Sequence, residues 1–92
     1  MEIKRTENGH KGQFTAYLDG EQAGLMTYTW AGNSKFIIDH TEADPKFSGK
    51  GVGKSLVVAG VAYARERNVK IVPLCPFAKK VIERNSDLQD VL

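Results

Sequence analysis

The sequence is poor in several residue types, with one cysteine, three prolines and one tryptophan among 92 residues. The lone thiol, Cys75, rules out an internal disulfide and any metal site built from several cysteines; it suits a reducing compartment, so a cytoplasmic location is expected. Neither sign of charge dominates. Thirteen Lys and Arg stand against eleven Asp and Glu, and the basic residues are scattered, which argues against a nucleic-acid partner but not against an anionic small molecule held at one basic loop. No apolar stretch approaches the roughly 20 residues a membrane helix needs. The opening, Met1-Glu2-Ile3-Lys4-Arg5-Thr6-Glu7, lacks the apolar region of a signal peptide, so neither a membrane nor an export route is expected. Repeats, low-complexity runs and Pro/Gly-rich linkers are missing too. What remains is ordinary globular composition, 41% hydrophobic and 26% charged. A chain of this length is expected to form a single domain over residues 1–92, burying about 60–65% of its unfolded surface.

Punctuation sorts the chain into a strand-rich half and a helix-rich half that meet near Pro45. Phe14-Thr15-Ala16-Tyr17-Leu18 alternates with period two and runs into Asp19-Gly20-Glu21-Gln22, a hairpin turn signal. Residues 23–30 put Met26, Tyr28 and Trp30 on one face of a second strand; 35–41 put Phe36, Ile38 and His40 on one face of a third, and residues 3–7 suit a short edge strand. Tyr28 and Trp30 read as core packing, with a substrate platform as the other reading. Residues 52 to about 68 favour a helix that is apolar nearly all round its middle, with Gly60 as a close-packing point. Lys70 to Cys75 reads as a strand held to an edge by Pro73, and Pro76 suits the first position of a closing helix. The expected fold is α+β: an antiparallel meander followed by one βαβα unit.

The strongest chemical signal is Ser48-Gly49-Lys50-Gly51-Val52-Gly53-Lys54-Ser55, between a strand and a helix. Glycines there allow close backbone approach, and the first helical N–H groups remain unpaired, a phosphate-binding arrangement. A Walker A loop, G-x-x-x-x-G-K-S/T, would need glycine at Ser48, and the next strand offers no aspartate for magnesium. The dinucleotide fingerprint G-x-G-x-x-G, begun at Gly51, meets Leu56 where its third glycine belongs. Gly51-Val52-Gly53 instead resembles the Q/R-x-x-G-x-G/A loop of the Gcn5-related N-acetyltransferases, with Ser48 in place of the usual Gln or Arg. Ile38-Asp39-His40-Thr41-Glu42 before the loop, Leu74-Cys75-Pro76-Phe77-Ala78-Lys79-Lys80 after it and the tail Asp87-Leu88-Gln89-Asp90-Val91 extend the likeness from about Gln13 onward. Together they are similar to the small, YjdJ-type members of that family.

The resemblance implies a minimal acetyltransferase fold, lacking the helices that longer members insert between their early strands, and acetyl-coenzyme A as cosubstrate. It implies that the pyrophosphate meets Gly49, Lys50, Gly51, Val52, Gly53 and Lys54, that the pantetheine arm pairs with Ile38, Asp39, His40 and Thr41 like an added strand, and that Phe77 and Lys79 flank the cofactor. Lys79 and its neighbour Lys80 otherwise suit a solvated helix face. An unidentified amine would be the acceptor, with a partner protein or a second copy helping to enclose it.

From the residues themselves, a βαβ unit gathers ligands at the carboxyl ends of its parallel strands, which places His40 and Cys75 in one crevice. Cys75 sits where a helix begins, and unpaired amides there favour a thiolate; a small buried apolar residue is the plain alternative. His40 can take a proton near neutrality, oriented by Glu42 two residues on, or be structural. Two routes follow: direct attack of the amine on the thioester with His40 as base, or an acyl-Cys75 intermediate. A coenzyme A-binding module without catalysis is the reading from another class.

Overall fold

The alternation in the first half builds four antiparallel strands, because period-two side chains give each strand one face to bury. A computed structural model describes residues 1–92. Strands β1 (Glu2–Asn8), β2 (Lys11–Leu18), β3 (Glu21–Trp30) and β4 (Lys35–Ala43) form the meander, and β5 (Lys70–Pro73) joins β4 in parallel at the sheet edge. Sheet order is β1-β2-β3-β4-β5. Between β4 and β5 lie a 3₁₀ turn, Pro45–Phe47, and helix α1 (Val52–Arg67); after β5 come α2 (Pro76–Glu83) and a 3₁₀ turn, Ser86–Val91. The meander and the βαβα unit are those expected.

Helix α1 is apolar nearly all round because it lies over β2, β3 and β4 and also touches α2 and the last 3₁₀ turn. Leu56, Val57, Gly60, Val61, Tyr63 and Ala64 are buried along it. A Cβ at Gly60 would stand 2.8 Å from Met26 Cε, so this glycine lets helix and sheet approach closely. Asn68 ends the helix in the left-handed region at φ 57°, donating its N–H to the Arg65 carbonyl at 3.1 Å. Tyr28, Phe36, Met26, Ile38 and Ile82 are fully enclosed in the single core between sheet and helices. Arg65 pairs with Asp90 at 2.6 Å and Lys70 donates to the Asp90 carbonyl at 2.8 Å, which pins the C-terminal turn.

Strand β5 is shorter than the sequence pattern predicts. Pro73 has no N–H to donate, and Leu74 turns out to solvent, 65% exposed. The Cys75 N–H then rejoins the ladder at the Ile38 carbonyl, 3.1 Å away. Two bulges shift the register. Ala23 is the extra residue where β3 passes β2, and Asp39 is the extra residue where β4 passes β3, since Thr27 faces His40 while Tyr28 faces Ile38.

At the sheet end where β3 finishes, Glu7 Oε1 accepts hydrogen bonds from Tyr28 Oη (2.8 Å), Trp30 Nε1 (2.8 Å) and Arg5 (3.2 Å). The Trp30 and Tyr28 donors hold the Glu7 carboxyl below the usual carboxylate range. Burial pushes the Tyr28 phenol up to about 12. Arg5 lies over the Tyr63 ring at 4.2 Å, and Arg67 sits near Trp30 and Tyr63. Tyr28 is thus enclosed in the core and Trp30 packs at its rim.

Candidate functional site

Two breaks in hydrogen bonding meet at the opposite end of the sheet. The first is the glycine loop. Gly49 and Gly51 adopt φ of 82° and 71°, a left-handed backbone that only glycine enters freely, and a Cβ at either would meet nothing within 4 Å. Gly51 caps α1 without any side-chain hydrogen bond. The first helical bond runs from Ser55 N–H to the Gly51 carbonyl at 3.0 Å, so the N–H groups of Val52, Gly53 and Lys54 have no partner within the helix. With the helix dipole behind them, these three amides form an anion-binding end. The Lys50 amide is already spent on the Phe47 carbonyl at 3.1 Å, so Lys50 has only its side chain to offer. Lys46 is also committed, paired with Glu21 at 2.6 Å, whereas Lys50 and Lys54 are exposed cations beside the amides.

The second break is the outer edge of β4. Strand β5 covers it only along residues 35–38, and the Cys75 amide closes that pairing at Ile38. Residues 39–43 continue the strand; 40–43 pair with β3 on one side, and none of the five pairs with a strand on the other. Their outward N–H and C=O groups form a short template for an extended polar chain.

The bulge at Asp39 decides which side chains face which way. Thr41 stands opposite Met26, a core residue packed on α1, and its Oγ1 lies 3.5 Å from Cys75 Sγ. His40 stands opposite Thr27 and Glu42 opposite Leu25, on the face that carries no helix. The expected crevice shared by His40 and Cys75 is therefore not formed: the extra residue breaks the simple alternation and turns His40 away from Phe36 and Ile38. His40 Nε2 lies 3.1 Å from Glu42 Oε2. When Nε2 donates its proton there, Nδ1 is left with a free lone pair.

Cys75 is 5% exposed and occupies the N-cap of α2, with Pro76 following. Burial raises its thiol, but the Ala78 and Phe77 amides and the Thr41 hydroxyl favour the thiolate, and the net direction is downward.

A cradle of helix-start amides thus lies beside a half-covered strand. Residues 13–91 match the family model described as GCN5-related N-acetyl-transferase. The chain belongs to this family. It is 37% identical to a GCN5-like protein of Staphylococcus aureus solved by NMR, with a TM-score of 0.70 over 98% of this chain and 85% of that one. It is 28% identical to Protein NATD1 of Xenopus tropicalis over 79% of this chain and 68% of the relative. A GNAT family acetyltransferase from Elizabethkingia anophelis, with acetyl-CoA bound, shares the fold at a TM-score of 0.63 and 18% identity; the match covers 70% of this chain and 42% of that larger protein.

Within this GCN5-related frame the candidate residues separate into distinct kinds. Val52 is buried against Gly24, so only its backbone is on offer at the loop. A Cβ at Gly53 would fall 2.6 Å from the Phe77 ring, so Gly53 lacks a side chain for the sake of Phe77, which is itself 44% exposed. Ile38 is enclosed and its carbonyl is taken by Cys75, so the open edge starts one residue later than the sequence indicates. Lys79 is exposed on α2. The glycines advertised the loop and Pro73 the early end of β5; the bulge carried no residue-type signal.

Proposed function

We propose that the protein is an acetyl-CoA-dependent N-acetyltransferase that transfers the acetyl group directly to a primary amine. The observation that carries this reading is the uncovered β4 edge at residues 39–43 lying beside the unpaired amides of Val52, Gly53 and Lys54. The bare Gly49 and Gly51 positions and the two loop cations suit a diphosphate, and the edge suits the amide-bearing pantetheine arm. Acetyl-CoA supplies the activated thioester. The acetyl-CoA-bound relative of the same fold supports that choice.

His40 serves as the base. Glu42 holds its Nε2, so Nδ1 receives the proton as the acceptor nitrogen attacks the acetyl carbon. A C–N bond forms, the C–S bond breaks, and coenzyme A departs as a thiolate that takes a proton from solvent or from the imidazolium. Cys75 favours a second route through its lowered thiol, in which Sγ first takes the acetyl group and then yields it to the amine. Its burial, and its position on the opposite side of β4 from His40, favour the direct route.

Labelled acetyl-CoA incubated with a set of primary amines tests the reading. Direct transfer predicts full turnover in Cys75→Ala and a loss of about 100-fold or more in His40→Gln. Loss of transfer in Cys75→Ala, with labelled protein accumulating in the wild type, would establish the acyl-cysteine route. Saturable coenzyme A binding with no amine acetylated would make the protein a binding module.

A further inference from the structure

The sheet face without helices carries a groove of about 500 Å³ that the acetyl-CoA reading leaves unused. It runs across the strands. Thr6 faces Gln13, Gln13 faces Thr27, and Thr27 faces His40, so one transverse row crosses four strands and ends at the proposed base. Three strand spacings make the row about 14 Å long. Asp39, the bulged residue, lines the groove at its β4 end, and its Oδ2 accepts the Thr29 hydroxyl at 2.7 Å. The bulge thus gives one residue two outlets: its backbone lies on the uncovered β4 edge, and its carboxylate points into the groove.

The chemistry of the lining is narrow. Apart from Tyr28 and Gly12 its lining side chains are polar: Thr6 and Thr27 present hydroxyls, and Gln13, whose Nε2 donates to Thr15 Oγ1 at 2.9 Å, has its carbonyl left to accept from a ligand hydroxyl. Two carboxylates line the groove; Glu7 Oε1 already accepts from Tyr28, Trp30 and Arg5, which leaves Asp39 as the anionic seat for one ammonium. Lys11, two strands away at about 10 Å, opposes a second cation there.

We propose that this transverse groove is the acceptor site and takes a primary monoamine on a polyhydroxylated body, such as an amino sugar, with its nitrogen held by Asp39 beside His40. The assignment rests on the transferase reading and adds the acceptor class to it.

The test uses glucosamine, with spermidine and phenethylamine as comparison amines. In the wild type, glucosamine is expected to have the highest kcat/KM. Asp39→Asn keeps the side-chain shape and is expected to raise the KM for glucosamine by about 10- to 100-fold, the loss of one charge-assisted contact, with the KM for acetyl-CoA unchanged. Thr27→Val is expected to raise it by a few-fold. A binding readout covers a catalytically silent protein: with coenzyme A saturating, glucosamine is expected to shift the backbone amide resonances of Thr6, Gln13, Thr27 and Asp39. Spermidine or phenethylamine outperforming glucosamine, an unchanged glucosamine KM in Asp39→Asn, or amide shifts confined to other residues would overturn the groove assignment while leaving coenzyme A binding intact. Failure of coenzyme A itself to bind would instead bring down the transferase reading.

Discussion

The two ends of the sheet treat their polar groups in opposite ways. At the end where β3 finishes, Glu7, Arg5, Tyr28 and Trp30 satisfy one another, and the aromatic rings of Phe14, Tyr28, Phe36 and Tyr63 pack with centroids 5.0–6.2 Å apart. At the end where β4 finishes, three helix-start amides and five residues of strand edge stay open. Backbone groups left unpaired in a folded chain normally find water or a partner. A saturated end and an open end therefore differ in what they can do: one stabilises the sheet, and the other presents the open groups that the proposed coenzyme A site uses.

The sharpest way to break this contrast is at Gly12. A Cβ there would lie 2.1 Å from the Tyr28 ring, which is fully buried and tethered through its hydroxyl. Gly12→Val is expected to cost about 3 kcal/mol of stability by overpacking, measured by denaturant unfolding, with coenzyme A affinity preserved while the protein is folded. Next comes Glu7. Glu7→Ala leaves the Tyr28 and Trp30 donors without their acceptor and is expected to cost about 2 kcal/mol. The folded Glu7 carboxyl titrates below its ordinary value, so its stabilisation is complete above the unfolded value and is lost as pH falls through the folded one. Thermal melts of wild type and variant should therefore converge in acid, and a gap that stays constant to low pH would contradict this account of Glu7.

The open end responds in binding instead. Gly51→Val forces a branched side chain into a φ of 71° at the helix start and is expected to weaken coenzyme A by about tenfold or more, close to 1.4 kcal/mol, with calorimetry as the readout. The smallest effect falls on the exception at the saturated end. Tyr63 Oη is buried with no hydrogen-bond partner, so Tyr63→Phe should raise stability by about 1 kcal/mol. A loss of stability would mean that the hydroxyl has a partner after all.

Much of the fold was legible because its signals are local. Asp19-Gly20 turns between β2 and β3, Pro76 starts α2, and the apolar span of α1 states that it is covered on several sides. The glycine loop was legible for the same reason: left-handed φ at Gly49 and Gly51 demands a residue type that sequence displays. The bulge at Asp39 was not, because Phe36, Ile38 and His40 alternate perfectly on paper, and only the pairing with β3 reveals the extra residue. Its consequence is large, since it parts His40 from Cys75. Glu7 was equally silent: its partners lie 21 and 23 residues away, and a charged residue on an edge strand looks like solubility alone. Gly12 carries no signal of its own either, because the Tyr28 ring that lies against it comes from a neighbouring strand.

The proposed coenzyme A cradle at the open end is made of backbone. The most direct measurement is an amide-resolved NMR titration of the whole protein with coenzyme A. A backbone cradle gives saturable shifts of the amides at residues 39–43 and 49–54, with Arg5, Glu7 and Trp30 at the saturated end unmoved. Shifts centred on the Glu7 end, or saturation that leaves 49–54 undisturbed, would contradict it.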